Sequence, residues 1–193
     1  MKKRELGELV TFIPGINPTR AEKQFKTHEI KYYDQSSFEV DYNHDDSSAC
    51  ENDLKAQSKN NLSLNEGDLV ISNSLQLAAM VGKINVGKVL SLNFTKVEFN
   101  SAQLDKRYFL YLFNANVDIK RQKERELQGN GSILRIPLKA LNQIVIPVVS
   151  MEEQIKVGAI YTKMLKLQSK LIKYTELVEQ FTGLVLEENL KEK

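Results

Sequence analysis

Residues 150–193 read SMEEQIKVGAIYTKMLKLQSKLIKYTELVEQFTGLVLEENLKEK. Within them Val157, Ile160, Met164, Leu167, Leu171, Tyr174, Val178, Phe181 and Val185 are separated by alternating steps of three and four, the a/d stripe of a coiled coil. The start is marked on both sides. Pro147 prevents a helix from running in, Ser150 can accept from the orphan N–H groups of a first turn, and Glu153 sits three residues on to complete a capping box. A helix from near Met151 to about Asn189 is roughly 57 Å long at 1.5 Å per residue, longer than a compact domain of this size can cover. Its apolar stripe therefore calls for a partner outside the globular part, and we assign those nine residues to a dimer interface. Gly158 and Gly183 each cost about 1 kcal/mol inside a helix, so its ends are expected to be looser than its middle. The e and g positions do not fix the partner's direction, although antiparallel packing would lay the Lys170 stem over Leu177 of the other chain.

Upstream the pattern changes to short strands and one helix. Alternation marks strands at 86–92 and 94–99, and the apolar run 69–71 follows the turn Asn65-Glu66-Gly67-Asp68. Residues 104–113 place Tyr108, Phe109, Leu112 and Phe113 at helical spacing behind Asp105, which predicts a buried helix. A polar stretch follows, ending in Gln128-Gly129-Asn130-Gly131-Ser132, whose glycines imply positive φ or close approach. Strands at 133–136 and 143–148 bracket a one-turn helix at 137–141 with Pro137 in its first position. At the N-terminus, 6–13 suits a strand or a helical turn leading into one, and Pro14-Gly15-Ile16-Asn17-Pro18-Thr19-Arg20 is a rigid loop delivering a basic residue. The fold class that results is α+β: a mixed-sheet globular domain over residues 1–149, then a long coiled-coil helix over 150–193.

The 193 residues carry 27 Lys+Arg against 25 Asp+Glu, a net charge of +2, too small for the whole surface to bind polyanions, so any nucleic-acid surface must be local. Charge is nonetheless segregated. Residues 34–54 hold Asp34, Glu39, Asp41, Asp45, Asp46, Glu51 and Asp53 with no Lys or Arg, whereas 104–141 are rich in both. A single cysteine, Cys50, excludes an internal disulfide and zinc ribbons, and with no apolar run of membrane-spanning length it implies a reducing, cytoplasmic setting without membrane contact.

Catalysis finds little support. There are two histidines, His28 and His44, and no nucleophile elbow, phosphate-cradling loop or dinucleotide fingerprint. Asn17-Pro18-Thr19-Arg20 lacks the second proline and the aromatic with which an amino-methyltransferase holds a flipped base. Asp41, His44, Asp45 and Asp46 near Cys50 could bind a divalent ion, but so acidic and polar a stretch reads first as a solvated loop; we expect no metal and no cofactor. Tyr32, Tyr33 and Tyr42 could stack on bases or be strand aromatics. For DNA, Arg20, Lys83, Lys88, Lys120, Arg121, Lys123 and Arg125 are candidate phosphate contacts, and Asn130 and Ser132 are candidates near base edges. These assignments rest on charge and loop placement.

In order along the chain, Leu6-Gly7-Glu8-Leu9-Val10, Gly15-x-Asn17-Pro18-x-Arg20, Gly67-Asp68-Leu69-Val70-Ile71-Ser72 and Gly129-x-Gly131-Ser132 are followed by Ile136-Pro137-Leu138-x-x-Leu141, Val145-Ile146-Pro147 and Glu153-Gln154-Ile155. This series resembles the specificity subunits of type I restriction-modification systems. Two departures stand out. The usual Ile-Pro-x-Pro before the helix is here Ile146-Pro147-Val148-Val149, and typical members carry two recognition domains and two long helices where this chain has one of each. The resemblance implies a non-catalytic subunit with one target recognition domain, binding double-stranded DNA and docking methyltransferase subunits along its helix. With one of each, the chain is either a half-subunit that forms an antiparallel homodimer reading a symmetric two-part site, or a fragment or truncated product of a longer subunit. Half-sites within ~17 base pairs would match a 57 Å rod at 3.4 Å per base pair. The rival readings are a coiled-coil adaptor that binds no DNA and a small metal-dependent enzyme using Asp41, His44 and Asp45.

Overall fold

The computed structural model describes residues 2–17, 19, 30–43, 63–129 and 134–191. Eight strands lie among them: β1 (Lys2–Glu5), β2 (Val10–Pro14), β3 (Tyr32–Tyr33), β4 (Leu69–Ser72), β5 (Leu77–Met80), β6 (Val89–Leu90), β7 (Phe94–Phe99) and β8 (Val145–Val148). Five α-helices accompany them: α1 (Gln35–Tyr42), α2 (Lys106–Ala115), α3 (Val117–Arg125), α4 (Leu138–Gln143) and α5 (Met151–Lys191). This is a mixed α+β domain followed by a long C-terminal helix.

The central sheet is antiparallel in the order β2-β7-β4-β5, and side chains on both of its faces are buried. Leu69, Ile71, Ala78 and Val97 point to one side, where they pack with Phe109 and Phe113 of α2. Val70, Ala79 and Phe94 point to the other, where they meet Phe38 of α1, Tyr33 of β3 and Leu90 of β6. The alternation along β4 between two cores follows from its period of two and explains why Leu69-Val70-Ile71 is continuously apolar. At the sheet edge the Asn114 amide takes the place of a strand: Asn114 Nδ2 donates to Ala78 O at 2.8 Å and Ala78 N donates to Asn114 Oδ1 at 2.7 Å. β1 pairs antiparallel with β8 in a separate ribbon, tying the chain's beginning to the segment that feeds α5.

Local signals account for the helix starts. Asp105 Oδ1 accepts from Arg107 N at 2.9 Å and Tyr108 N at 3.0 Å, opening α2. Ser150 N donates to Glu153 Oε2 at 3.1 Å and Glu153 N to Ser150 Oγ at 3.3 Å, the reciprocal box that opens α5. Three expected elements differ. The strand at 86–92 shrinks to β6 because a 3-10 turn occupies Lys83–Asn85 and Gly87 has φ 82°. The strand at 133–136 is, among described residues, a single bridge between Gln128 and Arg135. The one-turn helix becomes α4, with Pro137 as its cap rather than its first residue. The polar stretch after α2 contains α3, where Lys120 and Glu124 are i,i+4 neighbours on an exposed helix face.

α5 has 41 residues, about 62 Å at 1.5 Å each. Its first turns lie on α2: Gln154, Val157, Tyr161 and Leu165 face the core, and Gly158 makes the contact close. A Cβ at 158 would stand 2.7 Å from Arg107 Cβ and 2.8 Å from Tyr108 N. Gly158 is therefore a packing requirement rather than a loosening of the helix end. At Gly183 a Cβ would meet nothing within 4 Å. The two positions should respond with opposite signs. Gly183→Ala should strengthen the helix by up to about 1 kcal/mol. Gly158→Ala should lose about 1–3 kcal/mol, overpacking against backbone outweighing the same propensity gain. Thermal melts of the two variants check this, and a stabilised Gly158→Ala would show that α2 and α5 are not in contact.

Candidate nucleic-acid interface

α3 carries four of the expected phosphate contacts, and its packing separates them. Asn116 caps it, accepting from Asp118 N at 3.1 Å and Ile119 N at 3.2 Å, which turns Ile119 and, one turn on, Lys123 toward the core. Lys123 is 4% exposed. Its Nζ donates to Gln76 O at 2.8 Å and Phe113 O at 2.6 Å and lies 4.1 Å from the centre of the Phe113 ring. Burial pushes its amine down to about 8, with Lys120 adding repulsion. The expectation of a phosphate contact at Lys123 is thus corrected: the side chain is an internal strut, out of reach of a duplex.

Lys120, Arg121 and Arg125 remain exposed, but so do Asp118, Glu124 and Glu126, and Arg121 Nη1 lies 3.9 Å from Asp118 Oδ1. With Lys123 withdrawn, the exposed charges of α3 and its C-cap Glu126 balance, three of each sign. Lys88 is also engaged, donating to Ser37 Oγ at 2.8 Å; its half-burial lowers its pKa. Lys83 is exposed in the 3-10 turn after β5, at the opposite end of that strand from Gln76. The structure therefore does not join Lys83 and Lys88 to the α3 cluster. Arg20, Asn130 and Ser132 lie outside the described residues.

The candidate metal ligands fare similarly. Asp41 is buried, with Oδ2 accepting from the Tyr33 hydroxyl at 2.8 Å and Oδ1 from Gly82 N at 2.9 Å, so both oxygens serve the fold; burial raises its pKa above the usual carboxylate range. His44, Asp45, Asp46 and Cys50 fall outside the described residues. Of the tyrosines, Tyr33 is fully buried against Phe94 and Tyr42 stacks on Phe38: both are core aromatics.

What the structure does assemble, and sequence reading missed, is a rim of turns at one end of the sheet. The β4–β5 turn (73–76) and the turn before β7 (91–93) are joined: Asn73 N donates to Asn93 O at 2.9 Å, and Thr95 Oγ1 to Asn73 Oδ1 at 2.9 Å. Arg135 N and O pair with Gln128, and Arg135 Nη2 donates to Asn93 Oδ1 at 3.0 Å, bringing both ends of the glycine-rich loop to the same rim. The loop after β2 arrives there too, since Gly15 N donates to Phe94 O and Ile16 N to Leu90 O. A Cβ at Gly15 would fall 2.0 Å from Ser91 O, so only glycine permits this crossing. The shared asparagines and glycines were a legible signal for turns, but not for their convergence.

Two solved structures superpose over nearly all of this architecture. One, from work on complex assembly and conformational transition of the type I R-M system, matches 96% of this chain and 43% of its own at a TM-score of 0.58 and 16% identity. The other, the type I restriction-modification system S subunit from M. genitalium, matches 91% and 42% at 0.54 and 14%. The fold is that of a type I specificity subunit. This chain spans less than half the length of either structure. No family model and no curated protein matches its sequence.

Within this specificity-subunit fold, the Glu153-Gln154-Ile155 motif acquires a physical meaning. Glu153 completes the helix cap. Gln154, 1% exposed, receives Asp105 N on Oε1 at 3.0 Å and donates through Nε2 to Gln103 O at 2.9 Å and Val149 O at 3.0 Å, fixing the rod to the domain. The rod's expected interface residues divide. Val157 is half-buried against the core and so contributes to its own domain. Ile160, Met164, Leu167, Leu171, Tyr174, Val178, Phe181 and Val185 are exposed, Ile160 at 69% and Phe181 at 68%. At 100° per residue the buried face (154, 158, 161, 165) and the stripe lie well over 90° apart, so covering one leaves the other open.

Proposed function

We propose that this chain is one half of a type I specificity subunit: its globular domain recognises one part of a two-part DNA site without performing chemistry, and α5 pairs antiparallel with a second copy and docks methyltransferase subunits. The observation that carries the reading is the exposed apolar stripe on a helix whose other face is already occupied. The direction of pairing is supported by charge. Residues 155–173 contain Lys156, Lys163, Lys166, Lys170 and Lys173 with no acid, and 174–190 contain Glu176, Glu179, Glu187 and Glu188 with no base. A parallel pair would set like beside like along the rod, each costing about 0.4 kcal/mol at ~10 Å in water; reversing one helix turns each repulsion into attraction. The antiparallel register that centres the stripe pairs Ile160 with Val185, Met164 with Phe181, Leu167 with Val178 and Leu171 with Tyr174 of the second copy. It also lays the Lys163 and Lys170 stems over Leu184 and Leu177.

That register puts the two Gly158 contacts about 43 Å apart at 1.5 Å per residue, or about 13 base pairs at 3.4 Å each. Selection from a randomised duplex pool by the full chain together with its methyltransferase subunits should enrich an inverted two-part site with half-site centres near that spacing. Enrichment of a single uninterrupted motif would overturn the paired arrangement. The balanced charges on α3 favour a second reading, an adaptor that binds no DNA, and it wins if nothing is enriched. Among the described residues no helix is long and apolar enough to cross a membrane.

A further inference from the structure

Choosing among base sequences requires side chains held in fixed positions at an accessible rim, whereas holding phosphates requires only positive charge. α3 does not supply the first: its exposed charges are of both signs and its inner face is locked. The joined turns at 73–76 and 91–93 do. Gln76 has φ 55°, a left-handed conformation uncommon outside glycine, and three bonds hold that turn in place: Gln76 N to Ser72 O at 2.8 Å, Leu75 N to Ser72 Oγ at 3.3 Å and Lys123 Nζ to Gln76 O at 2.8 Å. Behind it, among Ile71, Phe113, Ile136 and Leu141, the remaining space is about 10 Å³, at the lower bound for one water molecule. A turn so backed cannot collapse inward.

Rigidity here serves to hold apolar side chains outward. Leu75 is 47% and Leu92 51% exposed, each in a turn position where Gly, Asn, Asp or Ser would be the ordinary choice. The exposed guanidinium of Arg135 is oriented by a bond from Nη2 to Asn93 Oδ1. An oriented Arg with two fixed apolar tips matches the chemistry of a major-groove edge, which offers paired acceptors on guanine and a methyl group on thymine.

We infer that Arg135, Leu75 and Leu92 are the base-reading set of this domain: Arg135 donates to O6 and N7 of a guanine, and the two leucines pack on thymine methyl groups. The inference rests on the half-site reading above and adds which residues choose the sequence. The test is selection from a randomised duplex pool by the full chain with its methyltransferase subunits, comparing wild type with Arg135→Ala, Arg135→Lys, the double variant Leu75→Ser/Leu92→Ser, and Arg121→Ala.

Arg135→Lys keeps the charge but not the two-pronged geometry, so it should bind DNA in general with unchanged salt dependence while its preference for guanine at one position falls at least about tenfold. Arg135→Ala should lose the same preference, and Leu75→Ser/Leu92→Ser the thymine preference at neighbouring positions. Arg121→Ala should keep the wild-type motif. If the three rim variants also enrich the wild-type motif undiminished, the inference is overturned while the half-site reading stands. If the wild type itself enriches nothing, the half-site reading fails, and this assignment with it. All three substituted side chains are solvent-accessible, and matching melting temperatures confirm that the variants fold.

Discussion

Replacing Leu167 and Leu171 together by glutamate is expected to convert the pure protein from dimer to monomer and to unfold α5 beyond its contact with α2. Both leucines are exposed in the single chain, so the substitutions remove nothing from the fold of one copy. In the proposed pair each copy buries both, four leucines in all, at about 1.5 kcal/mol or more apiece. A loss of at least ~6 kcal/mol is about 10⁴ in dimer Kd, before counting carboxylates placed in an apolar seam. The helix should then fray, because a solitary amphipathic segment derives most of its stability from packing. Light scattering reports the mass and far-ultraviolet circular dichroism the helix content. Lys166→Glu, also on α5 but off the stripe, should remain a dimer. A double glutamate variant that stays dimeric, or a wild type that is monomeric at micromolar concentration, would remove the stripe from any self-association.

The same stripe shows what sequence can and cannot convey. Its period was legible because it repeats, and the helix starts at Asp105 and Ser150 were legible because caps are local: donor and acceptor sit within three residues. Elements defined by distant partners were not. β1 is Lys2-Lys3-Arg4-Glu5, a charged run with no strand signature of its own, and it exists because β8 lies alongside. Gly158 looks like a helix weakness until α2 is seen against it. Among the candidate contacts, the rim of turns escaped because convergence of 15–16, 73–76, 91–93 and 135 is a property of the sheet order, not of any one segment. Lys123 was misplaced for a different reason. Its charge suggested solvent, while its spacing of four from Ile119 on the face opposite Arg121 pointed inward, and the spacing was the better guide.

Lys123 gives the second large effect, in stability rather than assembly. Lys123→Met preserves much of the side chain's volume but leaves Gln76 O and Phe113 O without their donor, and buried acceptors abandoned in this way cost about 1–3 kcal/mol each. A loss of about 2–4 kcal/mol should lower Tm by roughly 5–15 °C for a chain of this size. The pH dependence carries an independent signature. Burial sets the folded amine at about 8, below the ~10.4 of an unfolded lysine. Between those values the unfolded chain holds a proton that the folded protein has released, so stability rises with pH, by at most about 1.4 kcal/mol per unit. The neutral amine still has two hydrogens for its two carbonyls, so deprotonation removes the buried charge without breaking the strut. Above about pH 10 the trend should reverse, since burial raises the Tyr33 and Tyr108 hydroxyls and the unfolded chain then sheds protons that the folded one keeps. Lys88, likewise lowered by burial, contributes a rise of the same sign. The diagnostic is therefore the difference between wild type and Lys123→Met in denaturant titrations from pH 7 to 10. The gap should widen as pH increases; a gap that stays constant would mean the amine is solvated and available to phosphates after all.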